Sequence, residues 1–274
     1  MSALAAEEPP GDRRLRPGDG IARMGDRVLD LVDRCGRFAL LVGATLRAAR
    51  RRRFPWRETL RQLASIGAGS ASIVLITALF TGMVMALQTG IALERFGAKL
   101  YVGGVVALAL ARELGPILTA LMVGGRVGAG ITAEIGAMQV TEQVDAIRSL
   151  GADPVQKLVL PRVIAATLAL PMLTALANVL GIFGGLIIAV GQFGITPNFF
   201  MENVVWAVTL EDVLSGLVKT FAFGWIIAMV GCFSGFETTG GTVGVGRATT
   251  TAVVVASISV LVADFFLTKL LLAL

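Results

Sequence analysis

Long uncharged runs, each bounded by charged residues, form the main pattern of the chain from about residue 62 onward. Residues 63–87 contain no charged side chain, and none occurs between Val163 and Met201. Because a helix rises 1.5 Å per residue, about 20 apolar residues are enough to cross the hydrocarbon core of a bilayer. The pattern predicts five crossings, within residues 63–87, 100–125, 163–190, 213–236 and 251–271.

The composition agrees with this pattern. Of the 274 residues, 55% are hydrophobic and 16% are charged, and the mean hydropathy is +0.79. The apolar runs are continuous and rich in Gly, Ala, Leu and Val, as in packed transmembrane helices. We therefore predict an all-α, polytopic membrane protein.

Segments rich in glycine, proline or charge separate the crossings. Loops are predicted at residues 94–99, 191–198 and 235–250, and a short acidic helix at residues 198–212. A kink is expected at Gly115-Pro116, because proline removes a helical hydrogen bond. Two GxxxG pairs predict close helix packing, although such pairs also arise by chance. They are Gly124 with Gly128 and Gly181 with Gly185.

The basic excess of the chain is entirely N-terminal, with 14 Arg against 8 acidic residues in positions 1–61. Residues 1–20 are rich in Pro, Gly and charge and lack an apolar core, which predicts a disordered tail and not a cleavable signal. We predict that residues 21–61 form a basic helix in the cytoplasmic membrane interface. Residues 62–274 are predicted to form the transmembrane domain. Membrane anchoring explains the basic charge without a nucleic-acid partner. The apolar positions at helical spacing are Val28, Val32, Ala39, Val42 and Leu46.

The distribution of basic residues predicts the orientation. With the N-terminus in the cytoplasm, five crossings place the C-terminus on the outer side. The positive-inside rule agrees with this arrangement. The inner loops then contain Arg126, Arg148, Lys157, Arg162 and Arg247, whereas the outer loops contain Arg95 and Lys99.

Charged residues that fall within predicted crossings include Arg112, Glu113, Lys219 and Asp264. Because a charge at the centre of a bilayer costs about 2.5–3.5 kcal/mol, such residues mark the interior of a helix bundle. Arg112 and Glu113 neutralise each other, line a polar cavity or lie at a shallower depth. Lys219 and Asp264 are predicted near the outer ends of adjacent crossings and are candidates for a pair.

A charged, amphipathic segment at residues 134–153 follows the second crossing. Val140, Val144 and Ile147 recur at helical spacing, and the predicted helix ends before Gly151 and Pro154. The charged side chains Glu142, Asp145 and Arg148 lie on other faces of the predicted helix. An amphipathic helix between two crossings has two interpretations. It transmits movement from a bound ATP-driven partner, or it only connects the two crossings at the membrane interface.

Several types of chemistry are excluded or disfavoured by the sequence. It has no GxxxxGK[ST] motif, so ATP must be bound by another subunit. It has no histidine, and Cys35 and Cys232 lack the spacing of metal ligands, so no metal site is expected. An intramembrane enzyme would depend on the lone Asp264, and an ion-coupled secondary transporter would need more carboxylates. Both remain as alternatives to a transporter driven by ATP.

Two long blocks carry a family resemblance. ELGPILTALMVGGRVGAGITAEIGAMQVTEQVDAIRSLGADPVQKLVLPRV, at residues 113–163, and GFETTGGTVGVGRATT, at residues 235–250, resemble the MlaE/YrbE permease family. That family includes the plant plastid TGD permease and the permeases of Mce systems. The resemblance covers residues 63–274.

The resemblance implies an ABC-transporter permease that moves phospholipids or related lipids between the inner membrane and the periplasm or outer membrane. It implies that two copies of the permease form a homodimer and assemble with a dimer of cytoplasmic ATPase subunits, which bind the ATP. An MCE-domain lipid-binding protein would be a further partner, and a small cytoplasmic regulatory subunit an optional one. The permease itself would be no enzyme and would hold no cofactor. Its N-terminus would be cytoplasmic and its C-terminus periplasmic.

The resemblance also gives the candidate residues a role. Arg112 and Lys219 become candidates for contact with lipid head groups, with Glu113 and Asp264 as countercharges, unless all four only fix helix packing. A tail pocket at a dimer axis is predicted from the first crossing, where ordinary packing is the alternative: Leu79, Phe80, Met83, Val84 and Leu87. The coupling contact with the ATPase is predicted at Glu134, Met138, Val140, Glu142, Val144, Asp145, Ile147 and Arg148.

Overall fold

The computed structural model describes residues 19–50 and 55–273, which contain helices and turns but no strand. The predicted tail at residues 1–20 lies outside the described residues except for Asp19 and Gly20, which begin the first helix. We number the helices in chain order. They are α1 (Asp19–Ala49), α2 (Trp56–Glu94), α3 (Lys99–Val140), α4 (Gln143–Ser149), α5 (Val155–Phe193), α6 (Pro197–Ala207), α7 (Leu210–Phe236) and α8 (Gly241–Ala273).

Five of the described helices are long and apolar enough to cross a membrane: α2, α3, α5, α7 and α8. This result confirms the predicted all-α, polytopic architecture. Each crossing extends beyond its predicted apolar run, because a helix continues past the charged residues that end the run. Helix α1 is observed where the basic interfacial helix is predicted, and its apolar side chains Val28, Val32 and Leu40 are exposed. Its placement in the membrane interface stays a prediction.

Helix α2 packs along α5 through a stripe of mostly small residues. From Ile66 to Gly90 its buried residues recur at every fourth position, which places them on one face. A methyl group on Gly82 would lie 1.8 Å from the carbonyl oxygen of Gly181, and one on Gly184 would lie 2.2 Å from that of Leu79. The two backbones are therefore in direct contact. The predicted packing role of Gly181 and Gly185 is confirmed, whereas Gly124 and Gly128 contact the side chain of Ile227 at ordinary distances.

Helix α3 is interrupted by π turns at Leu110–Leu114 and Gly124–Gly128. The first lies immediately before the predicted kink at Gly115-Pro116. Pro116 has no N–H to bond the carbonyl group four residues earlier, and the N–H of Gly115 instead donates to the carbonyl oxygen of Leu110. Proline thus widens the helix over a full turn, and this wider turn contains Arg112 and Glu113.

The glycine-rich block at residues 235–250 is mostly helical, so the predicted loop is wrong. Helix α7 ends at Phe236 and α8 begins at Gly241, where Gly240 and Gly241 have positive φ angles of 86° and 66°. Glycine has a low helix propensity in water. A membrane helix, however, tolerates glycine because its backbone groups have no water to bond.

The short helix predicted at residues 198–212 also ends earlier than expected. Helix α6 ends at Ala207, and Phe200 is fully buried next to Gly103. Thr209 then caps α7 in a capping box with Asp212. Asp212 therefore belongs to the first turn of the fourth crossing and not to an outer acidic segment.

Candidate functional site in the membrane bundle

Lys219 on α7 is the centre of an ionic cluster between three crossings. Its side chain is only 2% exposed, and its Nζ lies 2.7 Å from Oε2 of Glu113 and 3.0 Å from Oδ1 of Asp264. Nζ also donates to the hydroxyl of Thr268 at 2.9 Å, and that hydroxyl lies 3.1 Å from Oε1 of Glu113. We call Glu113, Lys219, Asp264 and Thr268 the Lys219 cluster.

The Lys219 cluster joins helices α3, α7 and α8 and contains two carboxylates for one ammonium group. The predicted pair between Lys219 and Asp264 is confirmed by their distance. Lys219 makes a hydrogen bond with Glu113, but its contact with Asp264 is an ion pair without hydrogen-bond geometry. Because an unpaired charge in a membrane-spanning helix is costly, Lys219 stabilises both carboxylates by partly neutralising their charge.

Arg112 and Glu113 do not pair with each other. Consecutive residues of a helix point in directions about 100° apart, so the two side chains have different partners. Arg112 pairs with Asp212, which is only 3% exposed, while the Arg112 side chain is 45% exposed. Asp212 also accepts hydrogen bonds of 2.8 Å from the backbone N–H and the hydroxyl of Thr209. Sequence reasoning missed Asp212, although its spacing from Thr209 is that of a capping box.

An open pocket of about 440 Å³ adjoins the Lys219 cluster. Glu113 and Asp264 contribute to its wall, beside Phe265. The pocket thus combines charged and apolar surfaces. Its lining is completed by Thr268, Lys269 and Ala273.

The five candidate tail-pocket residues lie on two faces of α2. Met83 and the backbone of Leu79 contact α5 near Gly184, and Leu87 packs against the buried cluster around Phe200. Phe80 and Val84 are exposed on the bundle surface. These residues do not line the pocket beside the Lys219 cluster, and their contact with lipid tails stays a prediction.

The predicted coupling segment is divided by a backbone turn at Glu142. This residue has a φ of 59°, the only positive value of a non-glycine residue in the described part of the chain. The expectation of one helix through Val140, Val144 and Ile147 is therefore wrong, because periodicity in sequence does not reveal a left-handed residue. Val140 ends α3, whereas Val144 and Ile147 lie on α4. Gly151 follows the end of α4, as predicted, with a φ of 75°.

Helix α4 has one anchored side and one free side. Val144 is fully buried, Ile147 is half-buried, and Asp145 and Arg148 form an exposed ion pair of 2.8 Å. Leu150, at the end of α4, is 84% exposed. On α3, Met138 is half-buried and Glu134 pairs with Arg162 of α5 at 2.8 Å.

Comparisons with known proteins identify the family. A model of the family described as Permease MlaE matches residues 59–270. The chain belongs to the MlaE permease family. A probable ABC transporter permease protein of Synechocystis sp. is 45% identical over 78% of this chain and 82% of its own length. The intermembrane phospholipid transport system permease protein MlaE of Haemophilus influenzae is 36% identical over 92% of this chain and 97% of its own.

A plant relative extends the comparison. The chloroplastic protein TRIGALACTOSYLDIACYLGLYCEROL 1 of Arabidopsis thaliana is 39% identical over 78% of this chain and 61% of its own length. Together these relatives confirm the resemblance inferred from sequence. The MlaE-family chain is an ABC-transporter permease, a transport component and not an enzyme. It is a multi-pass membrane protein.

In this MlaE-family permease, we expect Asp212→Asn to lower stability measurably. The change weakens the ionic contact with Arg112 and the acceptor for Thr209. Loss of hydrogen bonds to a charged group costs about 1.5–3 kcal/mol. Thermal unfolding in detergent measures the effect. Glu211→Gln is the matched control, because Glu211 is adjacent and exposed. Equal midpoints for the two variants would contradict the structural role of Asp212.

Proposed function

We propose that this permease moves phospholipids or related lipids between the inner membrane and the periplasm or outer membrane, with energy supplied by a separate ATPase. The observation that carries the proposal is the half-exposed side chain of Arg112 inside a membrane-spanning helix. The guanidinium group of arginine binds phosphate well. Arg112 is also adjacent in sequence to Glu113, which lines a partly apolar pocket. The relative from Haemophilus influenzae is named as a permease of phospholipid transport.

The two candidate cations have different roles in this proposal. Lys219 is buried and already contacts Glu113, Asp264 and Thr268, so its function is to hold three helices together. Arg112 has one buried partner, and almost half of its side chain is exposed. We therefore assign contact with the lipid phosphate to Arg112 and a structural role to Lys219.

We further propose that α4 is the coupling helix that docks on the ATPase. It lies between two crossings and combines a buried anchor, Val144, with an exposed ion pair and the apolar side chain of Leu150. This assignment places the α4 end of the bundle in the cytoplasm. The N-terminus is then cytoplasmic and the C-terminus periplasmic, in agreement with the basic charge near α4.

The proposed assembly contains two copies of this chain, a dimer of ATPase subunits that bind ATP, and an MCE-domain lipid-binding protein. A small cytoplasmic subunit would regulate this assembly. Support for these partners comes from the family resemblance and from the naming of relatives as ABC-transporter permeases.

Native purification followed by identification of co-purifying proteins and lipids tests the proposal. We expect an ATPase, an MCE-type protein and phospholipid. The absence of both proteins would refute it. Transport by the isolated chain on an ion gradient, without ATP, would favour a secondary transporter.

The coupling role of α4 predicts that Leu150→Asp abolishes association with the ATPase but leaves the permease folded. A carboxylate cannot be buried in an apolar interface without a large desolvation cost. Co-purification of the ATPase and ATP hydrolysis by the complex measure the effect. Phe96→Asp is the control, because Phe96 is 83% exposed between α2 and α3, at the opposite end of the bundle. Normal ATPase binding by Leu150→Asp would place the docking surface elsewhere.

A further inference from the structure

Arg126 is a second exposed cation on α3, far along the helix from Arg112. It lies in the π turn Gly124–Gly128, and its Nη1 donates to the hydroxyl of Ser70 on α2 at 3.2 Å. Its guanidinium group packs on the α2 backbone, since a methyl group on Gly69 would lie 2.6 Å from Nη1. Within the described residues, Arg126 makes no ion pair with a carboxylate.

The depth of Arg126 can be measured along two helices. Helix α6 connects two crossings and so lies at one membrane face, where Phe200 contacts Gly103 of α3. From Gly103 to Arg126, α3 rises about 35 Å at 1.5 Å per residue. Gly90 of α2 lies at the same end, against Phe193, which belongs to the buried cluster around Phe200, and from Gly90 to Ser70 α2 covers about 30 Å. Because the hydrocarbon core is about 30 Å thick, Arg126 lies at the opposite boundary, at the level of lipid phosphates.

The surroundings of Arg126 leave its guanidinium group accessible. The neighbouring turn of α2 exposes only small side chains, including Ser65 and Ala68. Ser70 uses one of the five N–H donors of Arg126, so the others are available to a planar or tetrahedral anion. Arg162 of α5, by contrast, is buried and paired with Glu134.

We propose that Arg126, positioned by Ser70, binds the phosphodiester group of a phospholipid in the leaflet at the α4 end of the bundle. A guanidinium group binds phosphate oxygens through two parallel hydrogen bonds, and phospholipids supply such an anion at this depth. The site is separate from the Lys219 cluster, about 21 Å from Arg112 along α3. Its role as the point where transported lipid enters or leaves the cytoplasmic leaflet rests on the function proposed above.

Native mass spectrometry of the purified permease with added lipids tests the site. We expect Arg126→Gln to weaken binding of phosphatidylglycerol about tenfold, the loss of a charge-assisted contact, and Arg126→Lys to retain part of it. Binding of monogalactosyldiacylglycerol, which has no phosphate, should be the same in all variants. Arg95→Gln is the control, because it removes an exposed arginine at the other end of the bundle.

A second variant protects the test against misfolding of Arg126→Gln. Gly69→Leu leaves Arg126 in place but displaces its guanidinium group, and it should also weaken binding of phosphatidylglycerol. Unchanged binding in both variants would overturn the proposal. The proposal would also be overturned if the Arg126 variants bind lipid normally but no longer self-associate, because Arg126 would then contact another protein chain. The assay needs neither ATP nor partners, so failure of ATP-driven transport with normal binding would count against the proposed function and not against this site.

Discussion

Lys219→Met is expected to prevent accumulation of folded permease. The ammonium group of Lys219 is the partner of Glu113 at 2.7 Å and of Asp264 at 3.0 Å. Methionine fills a similar volume but leaves two carboxylates without a countercharge between α3, α7 and α8. Removal of one partner of a buried ion pair costs about 3–5 kcal/mol, a large part of the stability of a domain. The yield of monodisperse protein in detergent and its unfolding midpoint measure the loss.

Two further variants separate charge from packing in the Lys219 cluster. Lys269→Met removes an exposed lysine on α8 and should leave the yield unchanged. The triple variant Glu113→Gln, Lys219→Met and Asp264→Asn removes all three charges and should recover most of the stability, because no buried charge is left unpaired. If Lys219→Met alone is as stable as the wild type, the cluster does not hold the bundle together.

An exchange of the two charges tests whether Lys219 also contacts the transported lipid. The variant Lys219→Asp with Asp264→Lys keeps the ion pair and reverses its direction. Recovery of assembly and lipid transport together would show that the pair is structural and that Lys219 does not bind a head group. Recovery of assembly without transport would contradict our assignment of a purely structural role to Lys219.

Gly82→Ala is expected to separate α2 from α5 and to destabilise the bundle strongly. The added methyl group would lie 1.8 Å from the carbonyl oxygen of Gly181, and a backbone atom cannot move aside as a side chain can. Overpacking of a tight core costs about 1–3 kcal/mol, and the backbone obstacle places this substitution at the upper end. The unfolding midpoint in detergent or in lipid nanodiscs reports the change.

Gly67→Ala is the matched control on the same helix. A methyl group on Gly67 would meet nothing within 4 Å. Alanine has a higher helix propensity than glycine by about 1 kcal/mol, so this variant should be as stable as the wild type or slightly more stable. Equal destabilisation by both substitutions would show that the contact of Gly82 with α5 does not determine the effect.

The large features of the fold could be predicted because they follow from the energetic cost of charge in lipid. Long apolar runs, three of them interrupted by charged residues, located all five crossings. The same cost led to the pairing of Lys219 with Asp264, since two opposite charges near the ends of adjacent crossings have few other partners. Family resemblance then supplied the transport class, which neither periodicity nor composition could provide.

Local backbone geometry accounts for most of the differences between prediction and structure. The turn at Glu142 depends on the φ angle of a single residue. The start of α8 at Gly241 depends on local φ angles and on the surrounding lipid. The hydrophobic periodicity of a sequence reveals neither. Asp212 could have been found from the Thr209 capping box. The partners of Arg112 and Glu113 required the structure, because sequence places the two residues side by side but does not show the directions of their side chains.

The π turns of α3 also determine where the length of this helix can change. Deletion of one residue from a regular membrane helix rotates everything beyond it by about 100° and exposes its buried face to lipid. A π turn holds one residue more than an α-helical turn, so a deletion within Leu110–Leu114 or Gly124–Gly128 restores an ordinary helix and preserves the orientation of both flanks. Natural insertions and deletions of single residues should therefore concentrate at these turns, beside Arg112 and Arg126.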